Sequence, residues 1–219
     1  MNRLIDVSHT VEHGTITYPG LPAPVICDYL SREASRTQYA EGTSFHIGRI
    51  DMVANTGTYV DAPFHRYEDG LDLAELPLES LADLDALVVP TSEPIIDADT
   101  FEHLDVSGKA VLVRTDWSKR WGTPAYLSGH PYLTGQAAAL LLDRGAALVG
   151  IDSLNIDDTR GGERPVHSTL LGGSVPIVEH LCNLDGLPAS GFRFHAAPVK
   201  VRAFGTFPVR AYAVVPDGS

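Results

Sequence analysis

Cysteine is nearly absent: Cys27 and Cys182 are the two in 219 residues. Set far apart, they form neither a disulfide framework nor a metal-ligand spacing, so a reducing cytoplasm is the simpler setting. Basic residues are also scarce, 16 Lys and Arg against 28 Asp and Glu, for a net charge of −12. So acidic a chain argues against nucleic acid or an anionic membrane as partner, because both favour basic faces. No apolar run approaches the ~20 residues of a membrane span. The opening stretch Met1-Asn2-Arg3-Leu4-Ile5-Asp6 has no signal-peptide core, since Asp6 interrupts it early. No glycine-rich phosphate loop or dinucleotide fingerprint sits between a strand and a helix.

What is present is an ordinary soluble balance, 44% apolar and 20% charged, in a chain long enough for one domain with a sizeable core. Residues 45–53 alternate apolar and other side chains with period two, as a strand does. Residues 4–8 read as a short strand leading into His9, and 86–89, 110–114 and 147–151 are short apolar runs of the kind that buried strands show. Thr134 is placed to cap a helix over residues 135–144, with Gly145 just beyond its end. This alternation of strand and helix predicts an α/β sheet, and two further apolar runs follow at residues 199–204 and 209–215. Without a linker or repeat, residues 1–219 read as a single domain.

The stretch Asn55-Thr56-Gly57-Thr58-Tyr59-Val60-Asp61-Ala62-Pro63-Phe64-His65 concentrates chemistry. Gly57 permits backbone angles other residues avoid, and Pro63 fixes φ. One reading is a glycine turn between strands, capped by Asp61 and with His65 half exposed. The other is a rigid irregular path aiming Asn55, Tyr59, Asp61 and His65 inward. A second stretch holds His167 and Glu179, the latter inside the apolar run Pro176-Ile177-Val178-Glu179. An unpaired buried carboxylate is costly, so such a Glu is neutral, paired or bound to a cation, unless it lies on a solvent-facing helix. Trp117, Trp121 and Tyr126 cluster before His130, either as a wall for a flat or apolar ligand or as ordinary core.

The first stretch resembles the His-x-Gly-Thr-His-x-Asp-x-Pro-x-His signature of the metal-dependent cyclase/hydrolase family of kynurenine formamidase and isatin hydrolase. Gly57, Thr58, Asp61, Pro63 and His65 match it, while Asn55 and Tyr59 stand where the family has histidines. The contexts of His167 and Glu179 also match, as do Gly150-Ile151-Asp152, Pro208-Val209-Arg210, and an opening Asp-x-Ser-His with an aromatic-Pro-Gly turn. The last two make His9 and Tyr18 candidates for a pocket lining. The likeness spans nearly the whole chain and implies a swivelling β/β/α domain with a mixed sheet and flanking helices. It also implies a homodimer or higher homo-oligomer whose partner loops close each pocket.

In the family the two signature histidines and the Asp hold the principal metal, and a His and a Glu complete a second position. An amide oxygen is a weak ligand and a phenol of pKa ~10 stays protonated, so Asn55 and Tyr59 weaken the first position. Asp61, His167 and Glu179 remain as metal ligands for one divalent cation, zinc or manganese, with iron also suited, or for none. The implied activity is hydrolysis of a small amide or lactam, such as an aryl formamide, by a metal-bound water. His65 then moves protons, and Asn55 and Tyr59 donate to the developing oxyanion. Two other readings remain: a metal-free lyase, isomerase or cyclase using His65 and Tyr59, and a non-catalytic small-molecule binding protein.

Overall fold

The computed structural model describes residues 2–216. Thirteen strands are formed among the described residues: β1 Arg3–Asp6, β2 Val25–Leu30, β3 Ile47–Asp51, β4 Tyr59–Asp61, β5 Leu84–Pro90, β6 Ile95–Ile96, β7 Ala110–Arg114, β8 Tyr132–Leu133, β9 Leu148–Ile151, β10 Ile177–Glu179, β11 Ser190–His195, β12 Thr206–Pro208 and β13 Tyr212–Val215. The helices are α1 Arg32–Ser35, α2 Gly135–Asp143 and α3 Pro165–Gly172.

Nine strands make one mixed sheet in the order β1-β13-β11-β5-β7-β9-β10-β4-β12. Its centre, β5-β7-β9-β10, is parallel, and antiparallel strands extend it on both sides. The central strands read as continuous apolar runs because both their faces are covered. In β7, Val111 and Val113 face α2 and α3, where they meet Ala137, Leu141, Val166 and Leu170. Ala110 and Leu112 face the other way, into a core with Val60, Val178, Phe192, Phe194 and Ala213 that the curled sheet encloses. Each side chain so buried contributes roughly 1.5–3 kcal/mol relative to exposure for the larger aliphatics. The α/β class, mixed sheet and flanking helices are those of the sequence reading.

Three local expectations change. The period-two stretch at 45–53 does form β3, but among the described residues β3 pairs only with β2, and that ribbon is exposed on both faces. The apolar run 199–204 is irregular, and the strand instead is β12, built from the Thr206-Phe207-Pro208 separator. Residues 59–61, inside the stretch expected to be irregular, form β4, wedged between β10 and β12.

No helix among the described residues is long and apolar enough to cross a membrane.

Candidate active site

Side chains of a strand alternate between faces, so Val60 enters the core while Tyr59 and Asp61 share the opposite face. The register then decides their partners. Glu179 of β10 stands directly opposite Tyr59, and Thr206 of β12 stands directly opposite Asp61. Both pairs are hydrogen-bonded: the Tyr59 hydroxyl donates to Glu179 Oε2 at 2.6 Å, and the Thr206 hydroxyl donates to Asp61 Oδ1. Upstream, Gly57 holds φ of 66°, where a side chain is strained and a Cβ would also strike Val11 at 2.8 Å. Thr58 accepts from the His9 N–H at 2.9 Å and donates to the His180 carbonyl at 2.5 Å.

After β4, the 3-10 turn Pro63–His65 brings His65 back over Asp61. Its Nδ1 lies 2.7 Å from the Thr206 hydroxyl oxygen. That hydroxyl has one hydrogen, given to Asp61, so His65 Nδ1 is the donor. His65 is the partly exposed member of the group, with 35% of its side chain accessible, whereas Asp61, His167 and Glu179 are buried.

His167 comes from the first turn of α3, which Pro165 opens at a position where a missing N–H does no harm. Asp157 caps this turn, accepting from Val166 N at 2.8 Å and His167 N at 3.0 Å. It also accepts from the His167 Nδ1–H at 2.6 Å, fixing the ring. Nε2 is thereby turned toward two carboxylates, 3.6 Å from Asp61 Oδ2 and 3.7 Å from Glu179 Oε1. Glu179 is held by Tyr59 on one oxygen and by the Ile156 N–H at 2.7 Å on the other, with the Asn155 amide at 3.5 Å.

The electrostatics follow from this crowding. Burial works to raise Asp61, but the His167 imidazole 3.6 Å away, the neighbouring His65 and the Thr206 hydroxyl outweigh it and hold the carboxyl below its usual range. Burial, reinforced by the Asp61 charge, pushes Glu179 up to about 7. Burial would lower His167, yet Asp157, Asp61 and Glu179 together push it up to about 10. Burial and the two neighbouring carboxylates drive Tyr59 well above 10, so its hydroxyl keeps its proton and donates it to Glu179.

These residues fit a cation. Asp61 Oδ2 is buried with no hydrogen-bond partner, a costly state for a carboxylate unless something positive meets it. One ligand atom each from Asp61, His65 and His167 lies within 4.8 Å of the others. An imidazole with carboxylates suits zinc, manganese or iron, and the carboxylate–imidazole pair Asp157–His167 is the arrangement that orients a metal-binding histidine.

Asn55 is half-buried at the edge, its side chain beside the Tyr59 hydroxyl. A cavity of about 510 Å³ opens onto the cluster, lined by His65, Arg66, Asn155, Arg164, His167 and Ser168. A larger one, about 860 Å³, contains none of the cluster; His9, Trp121 and Tyr126 line it, with His9 and Trp121 stacked at 4.0 Å. Tyr126 bonds His180 Nδ1 at 2.7 Å, and the His180 ring lies 5.1 Å from that of Tyr59. Trp117 and Tyr18 pack in the cluster beneath. His130 is buried elsewhere, its Nε2 on the Asp157 carbonyl at 3.0 Å. Asp157, Thr206, Asn155 and His180 escaped the sequence reading. Asp157 lies only ten residues before His167, but nothing there separates it from Asp152 or Asp158.

The model of the Cyclase family matches residues 5–158. The chain belongs to this family. Kynurenine formamidase from Geobacillus thermodenitrificans is 28% identical over 214 residues, 96% of this chain and 97% of that protein. Isatin hydrolase A from Labrenzia aggregata, solved with benzyl benzoate bound, superposes with a TM-score of 0.84 at 26% identity, covering 98% of this chain and 94% of that one. A structure described as a potential metal-dependent hydrolase with cyclase activity has a TM-score of 0.81 at 27% identity, over 99% of this chain and 100% of its own. The family match takes in β4 with Asp61 and His65, and the similarity to these relatives runs on over α3 and β10.

Proposed function

We propose that this protein hydrolyses the carbonyl–nitrogen bond of a small amide or lactam, with one divalent cation, zinc or manganese, held by Asp61, His167 and Glu179. The observation that carries the reading is the unpartnered Asp61 Oδ2 facing His167 Nε2, whose other nitrogen is already committed to Asp157. The kinship with kynurenine formamidases and isatin hydrolases supports hydrolysis of a C–N bond outside peptides. When bound, a cation supplies a Lewis acid for the carbonyl and lowers the pKa of water. His65 lines the cavity and accepts a proton there, while the Thr206–Asp61 bridge steadies the ring. Tyr59 has its single proton on Glu179, so it holds that carboxylate in place rather than meeting an oxyanion. Asn55 retains an amide for the substrate oxygen.

Residues 1–219 act as one domain in this reading, in the cytoplasm, where Cys27 and Cys182 remain free thiols. Two copies associate through the β2–β3 ribbon. A two-stranded ribbon is marginal alone, and this one exposes Tyr29 and Ile50 at 76% and 56%. Light scattering on an Ile50→Asp variant tests that association.

The decisive experiment is elemental analysis of protein purified without added metal, with formanilide turnover measured before and after chelation. About one equivalent of metal is expected, with activity lost on chelation and restored by zinc or manganese. Undiminished turnover in metal-free protein would sink the cation and leave hydrolysis to the acid–base groups alone.

A further inference from the structure

The cavity beside the candidate cation seat has a charge pattern at odds with the chain around it. The protein carries a net charge of −12, and four of its thirteen arginines, Arg114, Arg160, Arg193 and Arg210, are each paired with a nearby aspartate. Arg66 and Arg164, both lining this cavity, form no ion pair among the described residues. They come from different halves of the site. Arg66 follows His65 directly, and Arg164 immediately precedes the helix that carries His167.

Both guanidinium groups are held but not neutralised. Arg66 Nε donates to Ser168 Oγ at 3.1 Å, and its guanidinium lies 5.1 Å from the Tyr67 ring centre. Ser168 is one helical turn beyond Arg164 and donates its N–H to the Arg164 carbonyl at 3.0 Å, so the two arginines share one scaffold. Arg164 Nη1 donates to the carbonyls of Asp158, Gly161 and Glu163 at 3.1, 3.0 and 2.6 Å. Its remaining nitrogens, like both Nη of Arg66, have no partner among the described residues. Three carbonyls fix the half-buried Arg164 without cancelling its charge. A guanidinium ordered before a ligand arrives loses little freedom on binding, and its planar fork matches a carboxylate. Among the described residues lining the cavity, Glu163 is the only acid beside these groups, and it is exposed.

We infer that the substrate is an anion: an amide or lactam bearing a carboxylate, which Arg66 and Arg164 hold at the mouth while the reacting carbonyl lies against His65 and His167. This rests on the hydrolase reading for the class of reaction, but the anion site stands on the two arginines alone. A volume of about 510 Å³ suits a single-ring compound with one such substituent.

The test pairs charge with its neutral isostere. Calorimetry with benzoate and with benzamide, on protein as purified and after chelation, separates arginine binding from metal ligation. Benzoate is expected to bind about tenfold or more tightly than benzamide in both states, the scale of a charge-assisted hydrogen bond. Arg66→Gln, at an exposed position, should bring the ratio near one. Equal binding of the two compounds, or a preference that survives Arg66→Gln, overturns the inference. Turnover of 3-formamidobenzoate against formanilide is the second arm, with a kcat/KM ratio of about ten or more in the wild type that collapses in Arg66→Gln. If neither formamide is cleaved, the hydrolase reading fails, while the benzoate measurement still decides the anion site.

Discussion

The Tyr59 hydroxyl and Glu179 Oε2 lie 2.6 Å apart across a directly opposed pair of β4 and β10. With the Ile156 N–H on its other oxygen, Glu179 has no freedom to rotate. Tyr59→Phe keeps the buried ring and releases one carboxylate oxygen. Metal affinity should fall about 10–100-fold, the effect usual for a group that orients a ligand. Competition against a chromogenic chelator measures it, and unchanged affinity would mean that the phenol only fills space.

His65→Gln separates proton transfer from metal binding. A general base contributes roughly 10²–10⁴ in rate, so kcat on formanilide should drop by that order while KM and metal content stay close to wild type. A parallel loss of bound metal would instead make His65 a ligand.

The buried imidazole of His180 predicts a pH-dependent stability. Burial lowers it from 6.5 to about 3, so between those values the unfolded chain takes up the proton first. Its contribution is therefore complete above pH 6.5 and is lost as the pH falls toward 3. His9 is lowered to about 4 by burial and acts in the same direction, whereas burial raises Asp152 to about 6, which acts in the opposite one. A variant cancels these common terms. His180 sits at φ of 57°, which asparagine tolerates, so His180→Asn should fold. The gap in melting temperature between it and the wild type should narrow from pH 7 to pH 4; a constant gap would contradict the assignment.

Gly205 passes so close to His65 that an added Cβ would overlap the His65 backbone and approach the Phe64 carbonyl carbon at 2.9 Å. Gly205→Ala should destabilise the protein by about 1–3 kcal/mol, the range for forced overpacking. Because the displaced segment carries His65, turnover should fall in variants that remain folded. Denaturant melts and formanilide assays report the two effects separately.

The central strands were legible because burial on both faces leaves a plain mark: the apolar run at 110–114 is β7 itself. The helix over 135–144 announced its own ends through Thr134, whose hydroxyl accepts from Ala137 N at 3.1 Å. The meeting of Asp61, His65, His167 and Glu179 was suggested by motif, but no local pattern shows that β4 is a strand. Its extended path is imposed by β10 and β12, partners that lie far along the chain. For the same reason Phe204 looked like part of a strand and Thr206 did not, since the Asp61 partner is chosen by register and not by hydrophobicity. Asp157 and His180 were hidden because an aspartate or histidine in a loop acquires meaning only from what it faces.

The position of β4 also bears on the order in which the protein assembles. The Tyr59–Glu179 and Asp61–Thr206 contacts close spans of 120 and 145 residues, whereas β5, β7 and β9 lie side by side in the sheet and follow one another closely in sequence. Wide loops cost more to close, so β4 is expected to dock after the parallel centre has formed. A cation that needs the finished seat then has nothing to bind in the transition state. Adding metal should slow unfolding and leave the refolding rate untouched, making the ion a brake on opening of the native protein.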